Sequence, residues 1–339
     1  MKKILFIQSK FDFNQFLDEK IFPNSNDVEF DGLKHLNKPA EYFSKYTKIF
    51  SCDYSNKYAY SIIKKAKSSS VNTFLLMDGI YDWANLYLNP KWAKNKFYFD
   101  VSVYDLVYCV DSHTASYFNL NNVKSELYKP PRVFKISQND IPEKEKIFNS
   151  SNKKILLTTA ISPYFDEIEF NRIINIFASI IEWSKLNSID LYYRIFNKKI
   201  ISELKIEDKF NLTKGSIDNY LKNIDVLITT PSTVSVTAIM LDIPAVHIIY
   251  RDTPNIFQTA WQIFHTEMVP DILNSALKKQ QDRMIHQRTI IPHVKIDIEP
   301  KKFISQNKIE KNFKFSKISF IFAILKSKLK GLYYKLFKY

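Results

Sequence analysis

The feature that most constrains the fold is a repeated alternation of short apolar runs with segments of helical period. Between the early runs, Ala59, Ile62, Ile63 and Ala66 recur at the i, i+3, i+4 and i+7 positions of one helix face. Such alternation predicts a mainly parallel sheet with helices on both of its faces. In the first half of the chain we predict five strands, at residues 4–8, 48–52, 73–77, 106–110 and 125–128.

A second series of the same kind begins near residue 154, and a polar, proline-containing stretch without a period separates the two, as expected of a linker. The second series has predicted strands at 154–158, 189–194, 226–229 and 245–249, and predicted helices at 170–181, 217–223, 234–241, 258–264 and 271–285. A chain of 339 residues is long enough for two domains. We therefore expect an N-terminal Rossmann-like domain, a linker, a C-terminal Rossmann-like domain and a basic tail, at residues 1–132, 133–152, 153–300 and 301–339.

Composition restricts the class of protein and its compartment. With 45% hydrophobic and 15% aromatic residues, the chain has enough apolar area to fold into a globular protein. Cys52 and Cys109 each end an apolar run, which indicates reduced thiols and a cytoplasmic location rather than a disulfide framework. The apolar run after Lys3 spans about four residues, fewer than the roughly seven of a signal peptide, so it is predicted as the first strand.

Most of the positive charge lies in the tail. Residues 301–339 contain eleven lysines and one acidic residue, a net charge of +10 out of a formal total of +14. A protein that binds nucleic acid through its fold would carry this charge in its body, so we expect no nucleic-acid partner. Residues 313–339 interleave aromatic and aliphatic side chains with lysine, and their longest lysine-free run, 318–325, is too short to cross a bilayer.

This tail pattern predicts an amphipathic helix that lies on an anionic membrane surface through residues 313–339. The protein would then be peripheral on the inner face of the cell membrane. A terminal helix packed against the body of the protein and a polyanion-binding segment are the alternatives.

The most informative motif runs from Asp225 to Pro244. A buried strand ends in the hydroxyl-rich turn Thr229-Thr230-Pro231-Ser232-Thr233, a helix follows, and a second strand begins after Asp242-Ile243-Pro244. This arrangement places hydroxyls and free backbone N–H groups at the carboxyl edge of the sheet, where open α/β folds bind phosphate ligands. The alternative is that Ser232 only caps the helix.

The order of this segment resembles the C-terminal domain of GT-B glycosyltransferases, particularly bacterial enzymes that build capsule, lipooligosaccharide and teichoic acid. The resemblance implies two Rossmann-like domains facing across a cleft, with Ser232 and Thr233, together with Thr230, on the donor phosphate. The sequence departs from that pattern at two places. Thr237 and Ala238 stand where many such families have Glu, and Asp242-Ile243 replaces a frequent Gly.

A second motif follows the strand at 73–77, where Asp78-Gly79 leads into the aromatic loop Ile80-Tyr81-Asp82-Trp83. A glycine here indicates positive φ or a close approach of substrate. The motif weakly resembles the acid-acid-Gly signature of bacterial sialyltransferases and polysialyltransferases, which implies Asp78 as the base that deprotonates the acceptor hydroxyl. Asp78 could instead form a turn with its own backbone, and Asp82 or His113 could be the base. Gly79, Asp82 and His113 are placed on the acceptor side.

Three further polar residues lie within or just after predicted strands or helices. Arg194 is a candidate for bidentate phosphate binding or for a surface ion pair, and Phe196-Asn197 stand where related families often have His. Glu267 is a candidate ribose contact, and the loop at 250–255 could touch the nucleotide or sugar. His247, inside an apolar strand, is interpreted as a core residue.

Other chemistries lack their usual signals. There is no G-x-G-x-x-G, no P-loop, no zinc-ligand spacing and no D-x-D pair. We expect no cofactor and no metal. The sequence thus predicts a metal-independent, inverting glycosyltransferase that moves a sugar from a nucleotide-activated donor to a lipid-linked or surface-polysaccharide acceptor, a glycan or glycolipid. A nucleotide-sugar 2-epimerase-like enzyme and a non-catalytic scaffold of polysaccharide assembly remain the alternatives.

Overall fold

The computed structural model describes residues 3–17, 27–54, 56–90, 101–134 and 150–291. The first half contains a six-stranded, all-parallel sheet in the order β2-β1-β3-β4-β5-β6. Its strands are β1 (Lys3–Phe6), β2 (Val28–Glu29), β3 (Tyr46–Ser51), β4 (Asn72–Leu76), β5 (Leu106–Cys109) and β6 (Ser125–Leu127).

The described part of this half contains the helices α1 (Lys10–Phe16), α2 (Lys57–Ser68), α3 (Trp83–Tyr87), α4 (Ser112–Leu120) and α5 (Pro131–Phe134). Its described residues also include short 3-10 segments at Gly32–His35, Ala40–Lys45 and Val101–Val103. Helix α2 begins where the Asn56 side chain accepts hydrogen bonds from two backbone N–H groups. The predicted face of this helix is confirmed, since its four apolar residues are fully buried.

The second half contains a five-stranded, all-parallel sheet in the order β11-β10-β9-β7-β8. Its strands are β7 (Lys154–Thr158), β8 (Asp190–Arg194), β9 (Val226–Thr229), β10 (Ala245–Ile248) and β11 (Trp261–Ile263). Its helices are α6 (Glu167–Leu186), α7 (Lys198–Glu203), α8 (Asp218–Leu221), α9 (Val234–Met240), α10 (Val269–Leu277) and α11 (Gln281–Ile290), with 3-10 segments at Asp208–Phe210 and Thr266–Met268. The two expected parallel α/β sheets are therefore confirmed.

Two predicted helices are wrong. Residues 258–264 contain strand β11, in which Trp261 and Ile263 are fully buried while Gln262 between them is half-buried. That alternation has the period of a strand, and it pairs with β10. The helix predicted at 271–285 is two helices, because Lys279 adopts a left-handed φ of 48° between them.

In each sheet the strand order reverses beside the first strand, between β1 and β3 and between β7 and β9. Such reversal points open a crevice at the carboxyl ends of the strands, where open α/β folds bind ligands. Both cysteines are free thiols. No helix within the described ranges is long and apolar enough to cross a membrane. Most of the predicted linker and all of the predicted tail helix lie outside the described residues.

Candidate functional site

The two motifs that the sequence singles out separately are in direct contact. The turn that leaves β4 carries Asp78, Gly79 and Ile80, and the turn that leaves β9 ends at Thr233. The backbone N–H of Ile80 donates to the Thr233 hydroxyl oxygen at 3.4 Å. A Cβ atom added to Gly79 would lie 1.9 Å from that same oxygen. The carboxyl edges of the two sheets therefore meet at these turns.

Gly79 is required here by close approach. Its φ does not fall in the left-handed region, where Gly215 alone lies among the described glycines. The group that approaches Gly79 is the side chain of Thr233, and any other residue at position 79 would overlap it.

The hydroxyls of the Thr230–Thr233 turn have three different environments. Thr230 is fully buried, and its Oγ1 accepts the backbone N–H of Ala160 at 2.7 Å, which joins the ends of β7 and β9. The Thr233 hydroxyl is held by Ile80. The Ser232 side chain is half-buried and makes no hydrogen bond with any described residue. Neither Ser232 nor Thr233 caps the seven-residue helix α9 through its side chain, so the capping interpretation of Ser232 is wrong.

Helix α9 and the turn after it explain the two departures from the GT-B pattern. Thr237 is buried and its hydroxyl donates to the Val133 carbonyl of α5 at 3.4 Å, while Ala238 is fully buried, so neither position has room for a Glu side chain. Asp242 has a left-handed φ of 59°, the conformation that favours Gly. Its carboxylate accepts two 2.7 Å hydrogen bonds from Arg288.

Asp78 lies in the crevice of the first sheet, directly after β4. Its side chain is 47% exposed, and one carboxylate oxygen is 3.8 Å from the guanidinium of Arg132. Desolvation by the surrounding protein raises the pKa of Asp78, Arg132 opposes the rise, and the charge of Asp53 adds to it. A raised pKa makes the carboxylate a stronger proton acceptor.

Asp82 takes part in an ion-pair cluster that joins the two halves. Arg251 follows β10, is only 8% exposed, and lies 3.6 Å from the Asp82 carboxylate and 3.1 Å from that of Glu169. The Arg251 guanidinium also stacks on the Phe165 ring, 4.1 Å from its centroid. Burial raises the pKa of Asp82, and Arg251 opposes the rise. The sequence indicated Asp82 and the loop of Arg251 but not their contact.

A pocket opens beside this cluster, between the loop after β4 and the loop after β10. It is lined by residues 80–83, 231, 248–251 and 253–257. The pocket thus adjoins the hydroxyl turn at Pro231 and includes Asp82, whereas Asp78 and Gly79 lie outside its lining.

His113, Arg194 and Glu267 do not line this pocket. The His113 Nδ1 accepts the backbone N–H of Gln258 at 3.2 Å, and burial and His286 lower its pKa, so it is a neutral contact between the halves. Arg194 donates to the carbonyls of Leu212, Lys214 and Gly215 and therefore holds their loop. Glu267 is 89% exposed, and its described ion-pair partner is His265. The structure brings neither Arg194 nor Glu267 to the hydroxyl turn.

His247 is a buried residue of β10, as interpreted from the sequence. Its Nε2 is 2.6 Å from the Ser235 hydroxyl, and its Nδ1 has no partner among the described residues. Complete desolvation lowers its pKa from 6.5 to about 3.

This lowered pKa predicts acid sensitivity. As pH falls, His247 is protonated in the unfolded chain at a higher pH than in the folded protein. The free energy of unfolding therefore decreases as pH falls below 6.5, by about 2 kcal/mol between pH 7 and pH 5. His247→Gln should remove this loss, because glutamine does not titrate. Urea unfolding at both pH values measures it, with His265→Gln, whose side chain is 67% exposed, as control. If His247→Gln loses as much stability between pH 7 and pH 5 as the wild type, another group causes the acid sensitivity.

Within the described ranges, no group of three or more His, Cys, Asp or Glu side chains is arranged to hold a metal ion. The expected independence from metals and cofactors stays a prediction. The polar groups near the meeting of the two turns are the Ser232 and Thr233 hydroxyls and two pairs of opposite charge, Asp78 with Arg132 and Asp82 with Arg251.

Comparisons with known proteins identify the fold. No protein-family model and no curated protein match the sequence. A Listeria monocytogenes protein assigned as a UDP-N-acetylglucosamine 2-epimerase has TM-score 0.57 at 11% identity over 86% of this chain and 92% of its own. The Neisseria meningitidis UDP-GlcNAc 2-epimerase bound to UDP-GlcNAc has TM-score 0.53 at 12% identity over 86% and 95%. S. aureus MnaA with UDP has TM-score 0.51 at 13% identity over 76% and 72%. This chain has the same GT-B fold of two parallel-sheet α/β domains.

Proposed function

We propose that this chain is a nucleotide-sugar enzyme whose substrate binds where the two sheet edges meet. The observation that carries the proposal is the contact between the Asp78-Gly79-Ile80 turn and the Thr233 hydroxyl, which joins a candidate base to a candidate phosphate site. Similar folds hold UDP or UDP-GlcNAc, which supports a nucleotide-sugar as the ligand. The nucleotide phosphates would meet Ser232, whose hydroxyl is unpaired in the described chain, and would replace Ile80 as the partner of Thr233.

The chemistry we propose is inverting glycosyl transfer without a metal. Asp78 accepts the proton of the acceptor hydroxyl as that oxygen attacks the anomeric carbon. The bond from this carbon to the nucleotide phosphate breaks, and the leaving phosphate keeps the electron pair. Hydroxyl donors at Ser232 and Thr233 would stabilise its charge. A lipid-linked or surface-polysaccharide acceptor fits the basic, amphipathic residues 313–339, which would hold the enzyme on an anionic leaflet.

Sugar 2-epimerisation is the second candidate, because the solved structures of similar fold include 2-epimerases that match along nearly their whole length. The two chemistries are separable by their products. An epimerase exchanges the C2 hydrogen of the sugar with solvent deuterium and needs no acceptor. A transferase releases nucleotide only when acceptor is present, and a non-catalytic scaffold does neither.

The nucleotide site is tested by thermal unfolding with CMP, UDP, GDP and CDP. A nucleotide at 100 times its Kd should stabilise the protein by about 2.7 kcal/mol. Ser232→Ala should weaken binding at least tenfold, because a hydrogen bond to a charged phosphate is worth about 1.5–3 kcal/mol. Ser202→Ala, an exposed serine of α7, is the control and should leave affinity unchanged. If none of the four nucleotides stabilises the protein, the proposed function is wrong.

The base assignment predicts a selective loss of kcat. Asp78→Asn should lower kcat by about 10²–10⁴ while nucleotide affinity changes little. Since only the ionised carboxylate accepts a proton, wild-type kcat should fall as pH drops through the raised pKa of Asp78. Asp53→Asn should move this fall to lower pH, because the charge of Asp53 helps to raise that pKa. An unchanged pH profile in Asp78→Asn would assign the base to another group.

A further inference from the structure

The pocket beside Pro231 combines an aromatic side chain with polar groups. Asp82, at the end of the loop after β4, and Trp83, the first residue of α3, line one side of it. Arg251 and Asn255 line it from the loop after β10. Trp83 is half-buried and packs against Tyr87, with ring centroids 4.9 Å apart, so its indole has a fixed orientation. A pyranose ring suits such a lining, because its C–H face packs on an aromatic ring while its hydroxyls bond to carboxylate and amide groups.

The one cation in this lining is already committed to the protein. Arg251 Nε pairs with Glu169, Nη1 lies nearest Asp82, and Nη2 donates to the Ser162 and Pro163 carbonyls. With 8% of the side chain exposed, the guanidinium has no free N–H fork to offer to an entering carboxylate.

The charge balance around Arg251 is negative. Asp82 and Glu169 are 21% and 12% exposed, so two acids surround one base in a region that is largely shielded from water. A sugar carboxylate that enters would lose its hydration beside this net negative charge and would find no free cation. An uncharged sugar suffers no such penalty.

We propose that this pocket is the sugar subsite and that it selects an uncharged pyranose, a neutral hexose or an N-acetylhexosamine, over a sugar that carries a carboxylate. The inference rests on the proposed function, because Pro231 joins the pocket to the hydroxyl turn that would hold the phosphate. Asp82 and the committed Arg251 determine the charge selectivity, and Trp83 supplies the apolar contact.

The test compares UDP, UDP-glucose and UDP-glucuronate by calorimetry, since the two sugars differ only in a hydroxymethyl group or a carboxylate at C6. UDP-glucose should bind at least tenfold more tightly than UDP-glucuronate. Trp83→Ala should reduce the affinity for UDP-glucose towards that for UDP and leave the affinity for UDP unchanged. If GDP binds best, GDP-mannose and GDP-mannuronate replace this pair. If CMP binds best, CMP-N-acetylneuraminate is compared with CMP. In each case the acidic sugar should add no affinity to that of the nucleotide alone.

Asp82→Asn should raise the affinity for UDP-glucuronate at least threefold and narrow its difference from UDP-glucose. Asparagine also caps helices, so α3 should keep its first turn. Asp252→Asn is the matched control, because Asp252 adjoins Arg251 in sequence but is 84% exposed and lies outside the lining. If the wild type binds UDP-glucose and UDP-glucuronate equally, the proposed selectivity is wrong, while binding of UDP would still support the proposed function. Failure of all nucleotides to bind would overturn the proposed function itself.

Discussion

Gly79→Ala is expected to force apart the two sheet edges and to remove most of the enzymatic activity. The new Cβ would lie 1.9 Å from the Thr233 oxygen and 3.1 Å from the Cβ and Cγ2 of that residue. A carbon and an oxygen that are not bonded to each other cannot lie 1.9 Å apart, so either the Thr233 side chain or the whole turn must move. Such overpacking costs about 1–3 kcal/mol. Because Asp78 and Ser232 flank the contact, their separation should change as well, and we expect at least a tenfold loss of kcat/KM.

A second substitution should restore the stability that Gly79→Ala loses. Thr233→Ala removes the Oγ1 and Cγ2 atoms, which leaves a tight but tolerable 3.1 Å contact between the two Cβ atoms. Urea unfolding of the two single variants and the double variant should therefore give a favourable coupling of at least about 1 kcal/mol.

Gly32→Ala is the matched control for this cycle. It also creates a tight contact, 3.0 Å from the Cα of Ile7, but it lies within the first half of the chain. Thr233→Ala should not rescue Gly32→Ala. If Thr233→Ala also fails to rescue Gly79→Ala, the contact between the turns does not account for the loss.

The two strands that sequence reasoning missed, β2 and β11, both lie at sheet edges. The inner strands were predicted, because burial on both faces leaves a continuous apolar run as a local signal. The edge strands β6 and β8 were also predicted, so an edge position alone does not hide a strand. β2 has two residues and was not predicted, and β11 was predicted as a helix; each pairs with only one neighbour. A short edge strand is defined mainly by its pairing, which the local pattern does not contain.

The site was predictable in its parts and not in its assembly. Asp78-Gly79 and Ser232-Thr233 stood out because polar residues and glycine follow apolar strands directly, a local pattern. Their contact joins residues 153 positions apart in the chain, and no local period contains it. The same holds for Arg251, whose loop was indicated but whose partners Asp82 and Glu169 lie far away in sequence.

Arg194 illustrates how strand order limits a prediction made from a strand-end position. Its position at the end of a strand placed it correctly at the carboxyl edge of the sheet, but β8 is the outermost strand, two positions from β9. There the guanidinium bonds to loop carbonyls instead of facing the hydroxyl turn. A strand-end position therefore predicts the edge on which a side chain lies, while the strand order decides its neighbours.

Arg251→Ala is expected to be the most destabilising single substitution of a charged residue in the cleft. It leaves Asp82 and Glu169 without their cation in a shielded site, and breaking a buried pair from one side costs about 3–5 kcal/mol. Arg172→Ala is the matched control, because Arg172 is 44% exposed and pairs with Asp252, which is 84% exposed. An exposed pair of this kind is worth about 0–1 kcal/mol. Urea unfolding at pH 7 measures both.

The pH dependence distinguishes loss of charge from loss of packing. Arg251 opposes the rise in the pKa of Asp82, so its removal should raise that pKa further. A carboxyl group with a folded-state pKa above its unfolded value binds a proton first in the folded protein, so the variant should regain stability as pH falls from 7 towards 5. In the double variant Arg251→Ala, Asp82→Asn, one of the unpaired charges is absent. The stability regained between pH 7 and pH 5 should therefore be smaller than in Arg251→Ala alone. A deficit that is equal at pH 7 and pH 5 would mean that the lost stacking on Phe165, rather than the uncompensated carboxylates, causes the destabilisation.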